Sequence, residues 1–403
     1  MKSYFSADVK GNYFSLAYIA SIYFCVQYLL KPFVDFLLWG ELFNRSAIIA
    51  FFYILFFIIG IVITNGINWK LKNKSAPKSN LKINSRPLYI LTILFFTLSF
   101  LVKLKTCVFP SINYDCLVWS QKFLKPNFLT LLSINSLLMA LVINFLIDQN
   151  KEIRRIYIAT IMLVLGLFFL WVMFSGVGRS MIMYCLLGLF VNLYYLELLR
   201  PKRMVIFLIS FFLVFLSISA FKSFYTEGQL INIAGLYEHL ESKIIFRISQ
   251  AHIIDAIVNG WQKDYYLLFY GWQDFFTSPA LGVDRVYLSG SEFGHALNLI
   301  GDNDNLTGVG PTYLGDLYMR GGLWMSYIGA IIIGVLYRTY DKYIYREPLF
   351  KILLLNGILF PFLLHGTEDF VFLTMSTAIL IYLFICVTTW YCGLFIKLID
   401  EKL

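Results

Sequence analysis

Long apolar runs separated by short polar pieces make up most of this chain. Ten of them approach the roughly 20 apolar residues that a helix needs to cross the hydrocarbon core of a bilayer. They are 14–30, 47–63, 88–102, 128–147, 156–174, 181–199, 204–221, 321–337, 352–365 and 370–396. The pattern predicts an all-α polytopic membrane protein with about ten transmembrane helices. The third and ninth runs are short. Pro361 predicts a kinked or partly spanning ninth helix, and the length of the last run predicts tilt.

Composition narrows the class. The chain is 59% hydrophobic and only 14% charged, with mean hydropathy +0.72. These values exclude a soluble globular enzyme, a disordered chain and a coiled coil. Aromatic residues reach 18%, which suits surfaces that face lipid and headgroups. With both termini on the cytoplasmic side, twenty of the 33 Lys and Arg fall in cytoplasmic pieces less than half as long in total as the outer ones. They are densest at Lys70, Lys72, Lys74, Lys78, Lys82 and Arg86. The expected orientation is therefore N-in and C-in. The lead to the first run carries Asp8 and no small-residue cleavage site, so that run reads as a retained span. Three regions follow: a bundle of seven spans (1–221), one large outer loop (222–320) and the last three spans (321–403). Cys25, Cys185 and Cys386 read as small apolar residues inside spans. Cys107 and Cys116 share an outer loop, where a disulfide needs an oxidising compartment.

The polar chemistry gathers on the outer side. A loop as long as 222–320 inside a compact protein is usually functional. It holds His239, His252 and His295, and the fourth histidine, His365, ends the ninth run on the same side. Its first half reads as an amphipathic helix. Ile233, Tyr237, Leu240, Ile244, Ile248, Ala251 and Ile254 form the apolar stripe. Glu238, Glu241, Ser249, His252, Asp255 and Asn259 form the polar face. That face is either solvated at the membrane surface or lines a cavity. Eight aromatics crowd 261–276, as an interfacial belt or as stacking surfaces for sugar rings. The stretch 289–313 is rich in Gly, Asp and Asn and reads as a polar loop.

Arginine is the clearest chemical signal. Arg179 lies in a tight outer turn, Ser175-Gly-Val-Gly-Arg-Ser180, and Arg247, Arg285 and Arg320 lie in the large loop or at its exit. Charges near the membrane are costly unless paired or functional, and arginine binds phosphate bidentately while staying protonated. Four outer arginines suffice for a diphosphate site, against a reading as interfacial snorkelling. Asp316 and Arg320 are four apart, so they share a helix face and can pair. Gly308, Gly310 and Pro311 predict irregular backbone at membrane depth, which would aim Thr312, Tyr313 and Asp316 into a cavity. No Walker A, HExxH, CxxC or outer DxD motif occurs, and Asp302-Asn303-Asp304 lacks the remaining ligands of a calcium loop. No metal, other cofactor or nucleic-acid partner is expected.

The layout resembles O-antigen polymerases (the Wzy family): ten or so spans, one late outer loop, a Gly-Arg-Ser turn after the fifth span and a Gly-rich re-entry. The clearest local similarity is Gly308-Val-Gly-Pro-Thr-Tyr-Leu-Gly-Asp-Leu-Tyr-Met-Arg-Gly-Gly-Leu323, running on to Gly329 and Gly334. The resemblance covers most of the chain as architecture and about 30 residues as sequence. Gly310 stands where ligases of the superfamily carry a His three residues before the Tyr-Leu pair, which favours a polymerase. The family's spacing of Arg, ten residues, Gly is not met at Arg247 or Arg285.

The resemblance implies a metal-independent membrane glycosyltransferase of the bacterial inner membrane, with its active site facing the periplasm. It would move a growing glycan from undecaprenyl diphosphate onto a new lipid-linked oligosaccharide unit in lipopolysaccharide biosynthesis. Membrane lipid and a chain-length regulator protein are the further partners it implies. Arg179, Arg247, Arg285, Arg320 and Tyr313 would bind substrate, the arginines stabilising the departing diphosphate. His252, His295, Asp316 or His365 would take the acceptor proton. An O-antigen ligase or other lipid-linked sugar transferase, and a lipid-linked oligosaccharide flippase, are the alternatives.

Overall fold

The computed structural model describes residues 15–40, 43–66, 85–106, 126–148, 150–174, 180–195, 250–260, 293–295, 297, 310–344, 347, 349–366 and 371–400. Within them the chain is helical, with no strand. The principal elements are α1 (Leu16–Trp39), α2 (Arg45–Gly66), α3 (Arg86–Thr106), α4 (Pro126–Ile147), α5 (Lys151–Phe174), α6 (Ser180–Tyr195), α7 (Ala251–Gly260) and α8 (Thr312–Ile344). Then come α9 (Leu349–Leu354), a π-helical turn (Leu355–Leu359), α10 (Phe360–His365) and α11 (Val371–Asp400). Segments as rich in Ile and Phe as α2 have low helix propensity in water. In lipid they become helical because no other spanning segment satisfies its own backbone. Four helical stretches among the described residues are long and apolar enough to cross a membrane: Leu16–Leu37, Arg45–Gly66, Thr312–Ile344 and Thr374–Tyr391. The protein is thus a helical membrane protein. The seventh apolar run, 204–221, and the 261–276 aromatics lie outside the described residues, as do Cys107 and Cys116.

Small residues let α2 and α8 approach closely. A Cβ on Gly334 would collide with the Phe57 carbonyl oxygen, and one on Gly60 with the Ile331 carbonyl oxygen. Such small-residue contacts drive helix association in lipid, where water supplies no hydrophobic force. Phe52 and Phe56 meet Tyr327 near the start of both helices, and farther along Arg338 donates to Asn65 Oδ1 and Lys342 to Thr64 O, so the two run parallel and the start of α2 lies at the same end as the start of the α8 span. Phe24, Tyr28, Tyr53, Phe57 and Tyr337 interlock beside this seam, with ring centroids 5.0–5.9 Å apart.

Two interruptions depart from regular helix. The first is in α8. Gly321 (φ −168°, ψ 23°) and Gly322 (φ 65°, ψ −150°) break it, and Gly322 occupies a region open essentially to glycine alone. Leu317 and Gly329 would stand about 18 Å apart along a straight helix. Instead, a Cβ on Gly329 would lie 2.6 Å from Leu317 Cδ1. The chain therefore doubles back into a short first limb, Thr312–Arg320, lying against the span that follows.

The second interruption is in the ninth run. It stays helical from Leu349 to His365 but widens into the π turn just before Pro361. Proline cannot donate to the carbonyl four residues back. Asn135 Nδ2 donates to that carbonyl, Gly357 O, at 3.1 Å, and Asn192 Nδ2 donates to Leu353 O at 2.8 Å. The outcome is a helix continuous from Leu349 to His365 with a π turn within it.

We expect Gly334→Ala to lower stability by about 1–3 kcal/mol, the usual cost of forcing extra volume into a filled contact. Thermal unfolding of detergent-purified protein measures this, with the lipid-facing Ile332→Ala as control.

Candidate functional site

The first limb of α8 begins abruptly. Thr312 has φ +63°, a real cost for a β-branched residue. Its Oγ1 accepts from Gly315 N at 3.1 Å, so the strained residue caps its own limb. Tyr313 follows, fully buried. Its hydroxyl lies near the Tyr337 hydroxyl, although the two residues are far apart along the chain. The hairpin thus carries the start of the limb deep into the bundle. Tyr337 donates to Leu363 O at 2.8 Å, one of the carbonyls left without a helical partner at the end of α10.

Asp316 and Arg320 form the charged centre. Arg320 Nε donates to Asp316 Oδ1 at 2.9 Å, and the side chains are only 2% and 5% exposed, the aspartate less. The pairing expected from their spacing is present, in a buried setting. What the spacing could not reveal is the third partner. Val371 N, the first amide of α11, donates to Asp316 Oδ2 at 3.0 Å. The carboxylate therefore neutralises a guanidinium and caps a helix whose N-terminal amides carry partial positive charge. Both oxygens accept hydrogen bonds, which makes Asp316 a residue that holds its neighbours in position.

α7 packs on this limb. Ile257 Cδ1 lies where a Cβ on Gly315 would sit, 2.5 Å away. Ile253, Ile254 and Ile257 are buried, so the helix is docked in the bundle. Its polar face bonds the head of α2. Asp255 Oδ1 accepts from Asn44 Nδ2, Ser46 Oγ and Asn259 Nδ2 at 2.9–3.1 Å. At its start, Gln250 N donates to Gln27 O at 2.7 Å, in the turn ahead of Pro32 of α1. α7 therefore enters at the middle of α1 and climbs toward the head of α2.

Of the expected site residues, Tyr313, Asp316 and Arg320 share the limb. His252 is half-buried on α7, which packs against it, and His365 is the last residue of α10, whose Leu363 carbonyl meets Tyr337. His295 is half-buried in a helical turn, 293–295, with no hydrogen-bond partner for Nε2 among the described residues. Arg179, Arg247 and Arg285 lie outside the described residues, as does most of the stripe from Ile233. Among the described residues, no three His, Cys, Asp or Glu side chains gather as a metal site.

Sequence reasoning missed a second pair at the other end of α8. Asp341 Oδ1 accepts from Leu16 N at 2.7 Å and Oδ2 from Ala17 N at 3.1 Å, with Arg338 Nη1 3.8 Å from Oδ2. Arg338 and Asp341 lie just past the apolar run 321–337, where hydropathy predicts no span. The available signal was a second Asp/Arg couple one helical turn apart, flanking the same nearly uncharged segment.

Removing one partner of a buried pair strands the other. We expect Asp316→Ala to cost about 3–5 kcal/mol, and the double change Asp316→Leu with Arg320→Met to recover much of it. Thermal unfolding in detergent reads both, and a small effect of the single change would show that water reaches the pair. No family model, curated protein or solved structure matches this chain, so the reading of the site rests on its own geometry.

Proposed function

We propose that this chain polymerises lipid-linked oligosaccharide repeat units at the outer face of the bacterial inner membrane. The growing glycan leaves undecaprenyl diphosphate and joins a new lipid-linked unit. The fold behind this reading has about ten spans, N-in and C-in, with 222–320 in the periplasm. One observation carries it: a buried arginine, Arg320, held by a carboxylate on a half-helix that doubles back into the bundle. Breaking a glycosyl–diphosphate bond puts negative charge on the leaving group. A preorganised guanidinium in a site of low dielectric offsets that charge without a metal. Arg179, Arg247 and Arg285 would complete the diphosphate site, and the fully buried Tyr313 would support the limb that carries Arg320.

The acceptor hydroxyl must lose a proton. With both Asp316 oxygens engaged, that role passes to an imidazole. His365 is the favoured candidate because its helix end meets Tyr337 beside the limb, and His252 and His295 stand behind it.

A second reading has its own support. Half-helices meeting inside a bundle also mark transporters, and α7, the α8 hairpin and the π turn are interruptions of that kind. A lipid-linked oligosaccharide flippase is therefore the competing function. The lipopolysaccharide of a deletion strain separates them. One repeat unit on core indicates a polymerase, and none indicates a ligase or flippase.

Purified protein given lipid-linked repeat units should form polymer in excess chelator; activity that needs an added divalent ion would return the Asp302–Asp304 segment to consideration. Arg320→Lys should lose most of the polymer at unchanged membrane level, since a point charge lacks the planar fork. For orientation, thiol labelling of Ser75→Cys and Gly290→Cys should report opposite sides, and the same side for both would overturn the ten-span arrangement.

A further inference from the structure

An apolar crevice of about 470 Å³ opens between α1 and α2, lined among others by Cys25, Phe33, Phe43, Ala47, Ile48 and Phe51. Its size is in the range of small-molecule sites. It occupies the half of the helix pair nearest their connection. Because α2 and the α8 span run parallel, with Phe56 beside Tyr327 and Asn65 beside Arg338, that is also the end at which α8 doubles back.

Two observations say what fits it. The first is charge. Arg45, the exposed first residue of α2, lies in sequence between Phe43 and Ala47, which line the crevice, and has no acidic partner among the described residues. A ligand with an apolar body and an anionic head complements that arrangement. The second is continuity with the candidate site. Phe43 and Ala47 line the crevice, while Asn44 and Ser46 of the same turn bond Asp255 of α7. α7 in turn packs through Ile257 on the limb that carries Asp316 and Arg320. An isoprenoid carrier presents a single chain for each phosphate, whereas a glycerophospholipid presents two.

We propose that this crevice seats the isoprenoid tail of a polyprenyl phosphate carrier, with the phosphate at Arg45. The inference rests on the reading of the substrate as lipid-linked and adds the place where its tail is held. The carrier then presents its phosphate at the same end of the bundle as Arg320.

Cys25 lines the crevice and is an exposed free thiol, so it reports occupancy directly. The full chain in phosphatidylcholine nanodiscs is treated with a membrane-permeant maleimide, and modification of Cys25 is followed by peptide mass spectrometry. Polyprenyl phosphate should slow that modification about tenfold, an order-of-magnitude expectation for a tail contributing a useful share of binding. Dioleoyl phosphatidic acid, the same head on two chains, should not. Ile48→Trp fills the crevice from a half-exposed position that the core does not need, and it should abolish the protection. Arg45→Gln should weaken it. Equal protection by phosphatidic acid, or protection that survives Ile48→Trp, overturns the proposal. Polymer formed without protection of Cys25 overturns the crevice alone and leaves the polymerase reading standing. Protection in a protein that makes no polymer supports the crevice and removes the polymerase reading.

Discussion

Lipid offers no water to the first amides of a helix, and two carboxylates on α8 meet that constraint. Asp316 accepts from the first amide of α11, and Asp341 from the first two amides of α1. Each carboxylate is balanced by an arginine one helical turn away. Burying an unpaired carboxylate would be prohibitive. Pairing it with a guanidinium and with the positive end of a helix turns the same charge into a fastening. α8 thereby sets where two other helices start.

The glycines make that fastening reachable. Gly60 and Gly334 bring α2 against the α8 span, and Gly321–Gly322 turn the first limb back on it. Without the reversal, Asp316 would project beyond the bundle rather than stand buried beside Val371. The neighbouring irregularity has a similar logic. The π turn and Pro361 leave carbonyls exposed in the bundle, and asparagines from α4 and α6 donate to them. Broken helices persist at membrane depth here because protein groups replace the lost backbone partners.

How much was legible in the sequence follows from the range of each interaction. Apolar runs mark helices because composition alone demands them in lipid, and the Asp316–Arg320 pair was legible because four residues is a local spacing. The end of α1 was not, since the helix continues past Lys31, Pro32 and Asp35 to Trp39. There Lys31 and Asp35 pair along the helix at 2.9 Å, so charges read as loop are helical. The polar face of α7 was legible as a face. Its partners, Asn44 and Ser46, come from more than 200 residues away, and periodicity carries no information about them. The apolar run that starts at Gly321 coincides with the break in α8. That the segment before it is a helix pointing back required the tertiary contact of Leu317 with Gly329.

The Asp341 fastening also has a consequence in time. α1 leaves the ribosome well before α8, and the carboxylate that receives its leading amides is made 325 residues later. At synthesis rates of about 5–20 residues per second, that is a wait of roughly 16–65 s. Throughout that interval the leading end of α1 must remain near the interface, where water can serve its amides. Only when α8 arrives can Asp341 receive those amides, so this fastening forms long after the helix it holds.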